Sequence, residues 1–338
     1  MTSLPKFSSL EAVSALAADL PSYDSDAAEA AVARQNTLTK PPGSLGRLEE
    51  LAVFMAGWRG TAQPDINKAQ AIVFAGNHGI CAQGVNPFPQ EVTHQMVANF
   101  KAGGAAINQL CKVAGADLSV VALDLDNPTQ DFTTSRAMTE SECLAAMQAG
   151  ADAVDPEADV LVLGEMGIGN STTAAALAHA VFGGEARSWV GRGTGSDDEG
   201  VRRKADVVSR AVTLHGSAEN MEILQAVGGR EQAAICGAVL AARALRIPVM
   251  LDGYICTASV APLHATDSGL LDHCLVGHAS AEPGHRLLLD GMGKEAVLDF
   301  KMALGEGSGA ALALNILRGA LACHNGMATF AEAGVSDA

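Results

Sequence analysis

The segment Asp159-Val-Leu-Val-Leu-Gly164-Glu165-Met166-Gly167-Ile168-Gly169-Asn170-Ser171-Thr172-Thr173 decides how the rest of the chain is read. Apolar residues 160–163 run into a glycine loop, and an alanine-rich helical stretch follows at once. Strand, glycine loop and helix N-terminus in that order form the repeating unit of an α/β protein. The spacing matches the phosphate loop GxxxxGK[ST], except that Asn170 stands in the lysine position. That lysine bridges the β- and γ-phosphates of a triphosphate. Its replacement points to a single phosphate held at the helix N-terminus by Gly167, Ile168, Gly169, Asn170, Ser171 and Thr172. A tight strand-to-helix turn with Ser and Thr caps has the same appearance. Glu165, inside the loop, is a candidate for acid–base chemistry or a ribose contact.

Outward from this unit the pattern repeats. Short apolar runs at Ala71–Ala75, Leu118–Leu123, Val160–Leu163, Arg187–Val190, Pro248–Leu251 and Cys274–Gly277 read as strands. Helical periodicity covers 90–114, 139–151, 171–182, 197–214, 218–225, 230–244, about 254–264 and 308–322. Residues 8–34 read as one or two helices broken at Pro21, and Ser44 is the expected N-cap of a helix reaching Trp58. The alternation predicts an α/β fold with a mainly parallel sheet flanked by helices. In such sheets ligands bind beyond the carboxyl ends of the strands.

Other loops carry chemistry-bearing residues. In Leu304-Gly305-Glu306-Gly307-Ser308-Gly309 a carboxylate sits between glycines at the mouth of an apolar helix. An apolar surround raises a carboxylate's pKa and strengthens its pull on a proton, as a general base requires. A glutamate favoured by the helix dipole is the competing reading. Gly191-Arg192-Gly193-Thr194-Gly195 permits close backbone approach, and Lys204 in the following helix can reach a phosphate, although Arg202–Lys204 also reads as a solvated face. Asn77 and His78 after the first strand, with Gln83 and Gln90 further on, suit a pocket for a flat ring. A structural role for His78 is the plainer reading. Ser280 lies in another polar loop after a strand. His273, His278 and His285 lack metal-ligand spacing, so a metal is not expected.

Bulk properties narrow the class. The 338 residues are 48% hydrophobic, enough for a large core. Lys and Arg number 22 against 38 Asp and Glu, a net charge of −16, which disfavours nucleic acid and anionic membrane surfaces. Seven cysteines without a CxxC pair suggest a reducing, cytoplasmic setting. No signal peptide or membrane span is expected from the sequence.

Together the segments resemble the nicotinate-nucleotide–dimethylbenzimidazole phosphoribosyltransferases. The matching blocks are Thr39-Lys-Pro-Pro-Gly-Ser-Leu-Gly-Arg-Leu-Glu-Glu-Leu-Ala52, Gly76-Asn-His-Gly79, Gly164-Glu-Met-Gly-Ile-Gly-Asn-Ser-Thr172, Gly191-Arg-Gly-Thr-Gly195, Leu251-Asp-Gly-Tyr-Ile-Cys-Thr-Ala258 and Leu304-Gly-Glu-Gly-Ser-Gly-Ala310. The resemblance implies a Rossmann-like large domain (36–299), a small helical domain from 1–35 with 300–338, and a homodimer. It implies transfer of a 5-phosphoribosyl group from nicotinate mononucleotide to 5,6-dimethylbenzimidazole or a related base, without a cofactor. By the same resemblance Glu306 is the base and Glu165 its partner. The 167–172 loop, Gly191, Arg192, Gly193 and Lys204 hold the phosphate, while Leu304 and residues 77–90 line the base pocket. Asn77 and Asn86 depart from the Asp and Ser that many relatives carry, which bears on base preference. A nucleotide kinase using the glycine loop and a non-catalytic carrier of a cobamide precursor are the alternatives.

Overall fold

A computed structural model describes residues 4–193 and 195–336; Thr194 of the 191–195 loop lies outside the described residues. Six strands form one wholly parallel sheet: β1 (Ala69–Ala75), β2 (Ala116–Ala122), β3 (Val160–Met166), β4 (Val249–Leu251), β5 (Cys274–His278) and β6 (Ala296–Leu298), in the order β2-β1-β3-β4-β5-β6. The helices are α1 (Leu10–Leu16), α2 (Ser25–Gln35), α3 (Arg47–Arg59), α4 (Glu91–Ala102), α5 (Ala106–Ala114), α6 (Glu140–Asp152), α7 (Asn170–Phe182) and α8 (Ala186–Trp189). They continue as α9 (Asp198–Leu214), α10 (Met221–Val227), α11 (Arg230–Ala244), α12 (Tyr254–Ser259), α13 (Ala261–Thr266), α14 (Pro283–Met292), α15 (Ser308–Gly326) and α16 (Phe330–Ala333).

Successive residues of a strand point to opposite faces, and the core divides accordingly. Ile72, Phe74, Leu161, Leu163, Val249 and Leu251 pack with residues of α6, α7, α10 and α11. Ala71, Val73, Val160, Val162 and Met250 point the other way, onto α3, α5 and α15. Both faces are therefore covered, which explains why β1, β3 and β4 read as unbroken apolar runs instead of alternating ones. Leu314, Leu317 and Leu321 of α15 are buried at 0–4% exposure. Each such side chain stabilises the fold by roughly 1.5–3 kcal/mol.

From β1 the chain first moves outward to β2 and then returns past β1 to β3. This reversal opens a crevice at the carboxyl ends of β1 and β3. The register brings the strand tips level, with Ala75 opposite Met166 and Leu251 opposite both Leu163 and Val276. The sequence ends fold together: Gln35 Nε2 lies 2.8 Å from His324 Nδ1, and Leu38 bridges Thr329.

Four expectations need correction. Arg187–Val190 is not a strand, because 186–189 is the short helix α8, packed on α7 and α9. Trp189 and Val190 bury themselves in that interhelical packing, so their apolar character never signalled a sheet. The 90–114 helix is two, α4 and α5, separated where Gly103 turns left-handed at φ 81°. Ser44 does not cap α3. The N-cap is Gly46, and 41–46 form consecutive turns before it. The stretch at 254–264 is likewise split at Val260. Strand β6 was not anticipated.

Candidate active site

The loops that follow β1, β3, β4, β5 and β6 wall a single cleft of about 820 Å³, counting its open mouth. Gly167, Ile168, Gly169, Asn170 and Ser171 form its floor at the start of α7. Gly169 is the N-cap, at φ 96°, and no side chain caps this helix end. Some of the loop's donors are already engaged. Ile168 N–H donates to Thr93 Oγ1 at 3.1 Å, and Asn170 N–H donates to the Gly167 carbonyl at 3.1 Å. Thr172 is fully buried behind the floor, so it does not line the cleft.

Lys204 is the one cationic side chain among the described lining residues. It enters from the second turn of α9 with 3% exposure and donates to Ser171 Oγ at 3.2 Å and to the Gly191 carbonyl at 3.4 Å. Burial lowers its pKa, partly offset by Glu282. Glu282 accepts the Gly193 N–H at 2.8 Å, and burial raises its own pKa. Lysine, serine hydroxyl and the 191–193 backbone thus converge as an anion cradle beside the α7 N-terminus. Arg192 does not join them; its guanidinium turns outward to Asp198 at 2.5 Å.

The other end of the cleft is acidic. Glu165 is the penultimate residue of β3, buried, with Asn170 Nδ2 donating to its Oε2. Burial raises its pKa well above the usual carboxylate range, and Asp252, Glu231 and Glu306 add to the rise. Asp252, at the tip of β4, is also buried in the cleft wall. Glu306 sits between Gly305 and Gly307, all three left-handed at φ 86°, 66° and 89°. Burial raises its pKa, the Ile107 backbone opposes the rise and Asp252 adds to it. Its Oε2 is buried without a hydrogen-bond partner. Gly305 lines the cleft, whereas the Glu306 side chain turns behind it toward the start of α5.

Phe88 and Leu304, 45% and 49% exposed, line the cleft together with Asn86 and Pro87, an apolar and partly polar frame for a flat ring. Ser280 lines the same cleft and receives Glu282 N–H on its hydroxyl at 3.3 Å. Asn77, His78, Gln83 and Gln90 stand back from it. Asn77 Nδ2 donates to the Leu125 carbonyl at 2.9 Å. His78 is buried 3.0 Å from Glu231 Oε1. Gln83 bridges Asp131 and Arg210, and Gln90 donates to the His78 carbonyl at 2.6 Å. The three histidines of 273–285 are dispersed: His273 packs on Trp58, His285 accepts from Ser280 N–H, and only His278 reaches the cleft. Among the described residues no three His, Cys, Asp or Glu side chains gather as a metal site.

Sequence reasoning did not single out Asp252, Tyr254, Glu282 or Ser196 as lining residues. Asp252-Gly253 directly after the 248–251 strand was the available signal, since a polar residue at a strand's carboxyl end sits where α/β sheets bind ligands.

A parallel sheet whose cleft holds an anion cradle, buried carboxylates and an apolar mouth defines a phosphoribosyltransferase-type site. Residues 20–335 match the family model described as "Phosphoribosyltransferase". The nicotinate-nucleotide–dimethylbenzimidazole phosphoribosyltransferase of Rhodobacter capsulatus is 62% identical over 98% of this chain and 99% of its own. The Ruegeria pomeroyi enzyme of the same name is 59% identical over 99% of both. The crystal structure of the Thermus thermophilus enzyme superposes with a TM-score of 0.86 at 39% identity, over 93% of this chain and all of that one. The chain belongs to the nicotinate-nucleotide–dimethylbenzimidazole phosphoribosyltransferase family.

Proposed function

We propose that the protein transfers the 5-phosphoribosyl group of nicotinate mononucleotide to 5,6-dimethylbenzimidazole or a related base, releasing nicotinate and α-ribazole 5′-phosphate. The observation that carries this is the lining of the cleft at the carboxyl ends of the strands. An anion cradle (Lys204, Ser171, Gly193) and an apolar mouth (Phe88, Leu304) flank buried carboxylates, so phosphate, ribose and two rings fit in sequence. The 5-phosphate belongs in the cradle and the ribose above Glu165.

The reaction is a single inverting displacement. The unprotonated ring nitrogen of the base attacks the anomeric carbon as the nicotinate C–N bond breaks, and the β-linked donor becomes an α-linked product. The departing ring already bears positive charge on nitrogen, so no acid is needed. Attack makes the acceptor ring cationic, and its N–H proton must go to a base. Glu306 takes that proton. A carboxylate of raised pKa is a stronger base than an ordinary one, and with no hydrogen bond holding Oε2 the side chain can rotate into the cleft on its fixed backbone. Glu165 stabilises the positive charge that develops on the sugar. Holding both rings on one ribose supplies much of the remaining acceleration. A homodimer and a cytoplasmic site of action go with this family reading, and light scattering of the purified protein checks the first.

The test is incubation of the metal-free protein with nicotinate mononucleotide and dimethylbenzimidazole, with products separated by chromatography and weighed. Base-dependent nicotinate release with a product of α-ribazole phosphate mass is the expected result. Tight binding of the base without turnover would favour a carrier instead.

A further inference from the structure

Asp252 at the tip of β4 is 1% exposed, and its two carboxylate oxygens are divided between two backbone donors. Oδ2 accepts from Gly307 N–H at 3.1 Å and Oδ1 from Ala310 N–H at 2.9 Å. Both donors belong to the N-terminus of α15, where a helix has unpaired N–H groups and favours negative charge. The segment so held is strained. Gly305, Glu306 and Gly307 are left-handed in succession, and Glu306 is the one that carries a side chain. A left-handed residue with a Cβ is unfavourable by roughly 1–2 kcal/mol, so the surroundings must enforce it.

We infer that Asp252 is a positioning residue for the reaction: by pinning Gly307 and Ala310 it holds the strained loop in place and thereby sets where the Glu306 carboxylate can reach. This rests on the assignment of Glu306 as the base. His278 backs the anchor from β5. Its Nε2 is 3.7 Å from Asp252 Oδ1, and its ring is wedged between Gly253 and Gly309, where a Cβ on either would collide with it. The ionisable groups that face Asp252 are His278 from β5, Glu165 from β3 and Cys256 from α12; those that bear on Glu306 are Asp252 and Glu165. An ordinary helix cap would serve stability alone. An anchor acting through Glu306 also couples to turnover.

The test is a double-mutant cycle on the full chain with Asp252→Asn and Glu306→Gln, followed by kcat and KM for nicotinate mononucleotide. An asparagine can accept only one of the two backbone bonds. Asp252→Asn alone should lower kcat by about 30-fold or more while KM shifts only a few-fold, and adding it to Glu306→Gln should cost no further turnover. Independent losses that multiply in the double variant, or a loss that falls on KM with kcat unchanged, would overturn the inference. Should Asp252→Asn fail to melt cooperatively, Asp252→Ser, smaller and able to accept one backbone bond at most, is put through the same cycle. Full turnover in Glu306→Gln alone would instead remove the base assignment itself.

Discussion

The ammonium of Lys204 lies 3.2 Å from the hydroxyl oxygen of Ser171, so the second turn of α9 reaches the N-terminus of α7 through one buried cation. Nothing else among the described lining residues offers positive charge to a phosphate. Lys204→Met keeps most of the volume and removes the charge. The loss of a charge-assisted contact to the donor's phosphate, about 2 kcal/mol, corresponds to a KM increase of roughly 30-fold, with a smaller effect on kcat. Steady-state kinetics with nicotinate mononucleotide varied at saturating base will show it. An unchanged KM would place the phosphate elsewhere.

Glu306→Gln should abolish most turnover, by about 100-fold or more, yet leave donor binding near normal, because general-base removal acts on the transition state. Binding is measured by calorimetry with nicotinate mononucleotide and turnover by nicotinate release. Glu165→Gln, which keeps the hydrogen bond from Asn170, should cost less than Glu306→Gln.

These same carboxylates predict a pH-dependent stability. Burial raises the folded-state pKa of both Glu306 and Glu165 above the usual value near 4.5. Between the unfolded and folded pKa values the folded state binds more protons than the unfolded chain, so stability falls as pH rises through that window. The penalty is absent below the unfolded pKa and complete above the folded one. Either Gln variant should therefore melt higher than the parent at pH 8, with the difference shrinking toward pH 4.5. Equal differences at both pH values would contradict the raised pKa.

Gly164 of β3 stands where the Glu306 carbonyl crosses the strand, and a Cβ there would collide with it. Gly164→Ala should displace the 305–307 loop, lower the melting temperature and reduce turnover by at least tenfold, although residue 164 touches no substrate. Overpacking of this kind costs roughly 1–3 kcal/mol. Calorimetry and the release assay together test it.

Phe88→Ala should raise KM for the benzimidazole by about tenfold and leave the donor's KM nearly untouched, since an aromatic contact of this kind is worth about 1 kcal/mol beyond its buried area. A change in the donor's KM alone would move the ring to the other end of the cleft.

The sheet was readable wherever strands are buried on both faces. Residues 160–163 and 248–251 signalled themselves as apolar runs because helices cover them on either side. Strand β6, three half-buried residues at the sheet edge, carries no such signal. Arg187–Val190 carried a false one, because burial between helices selects the same residue types as burial in a sheet. The cradle was legible in part. The glycines and Lys204 stand out in sequence, but Arg192 looked equivalent to Lys204 until its side chain was seen to point at Asp198. Gln83 and Gln90 were polar residues in the right loop, and their amides turned out to be committed to Asp131 and the His78 carbonyl. Which way a loop side chain faces depends on contacts tens of residues away, and local sequence does not carry that information. Asp252 went unnoticed for the same reason: its partners lie 55 and 58 positions downstream.

Because α15 follows directly on the Glu306 loop and helps cover one face of the sheet, one wall of the cleft and the second core cluster are finished by the same late segment. During synthesis the strands β1 to β5 leave the ribosome before the helix that shields Val73, Val162 and Met250. A nascent chain stopped near residue 300 would have that face covered by α3 and α5 but not by α15, leaving apolar surface exposed, so it should be insoluble as well as inactive, which pelleting of the truncated product would reveal. Completion of α15 thus hides the last of that apolar face and closes the nucleotide cleft in one step.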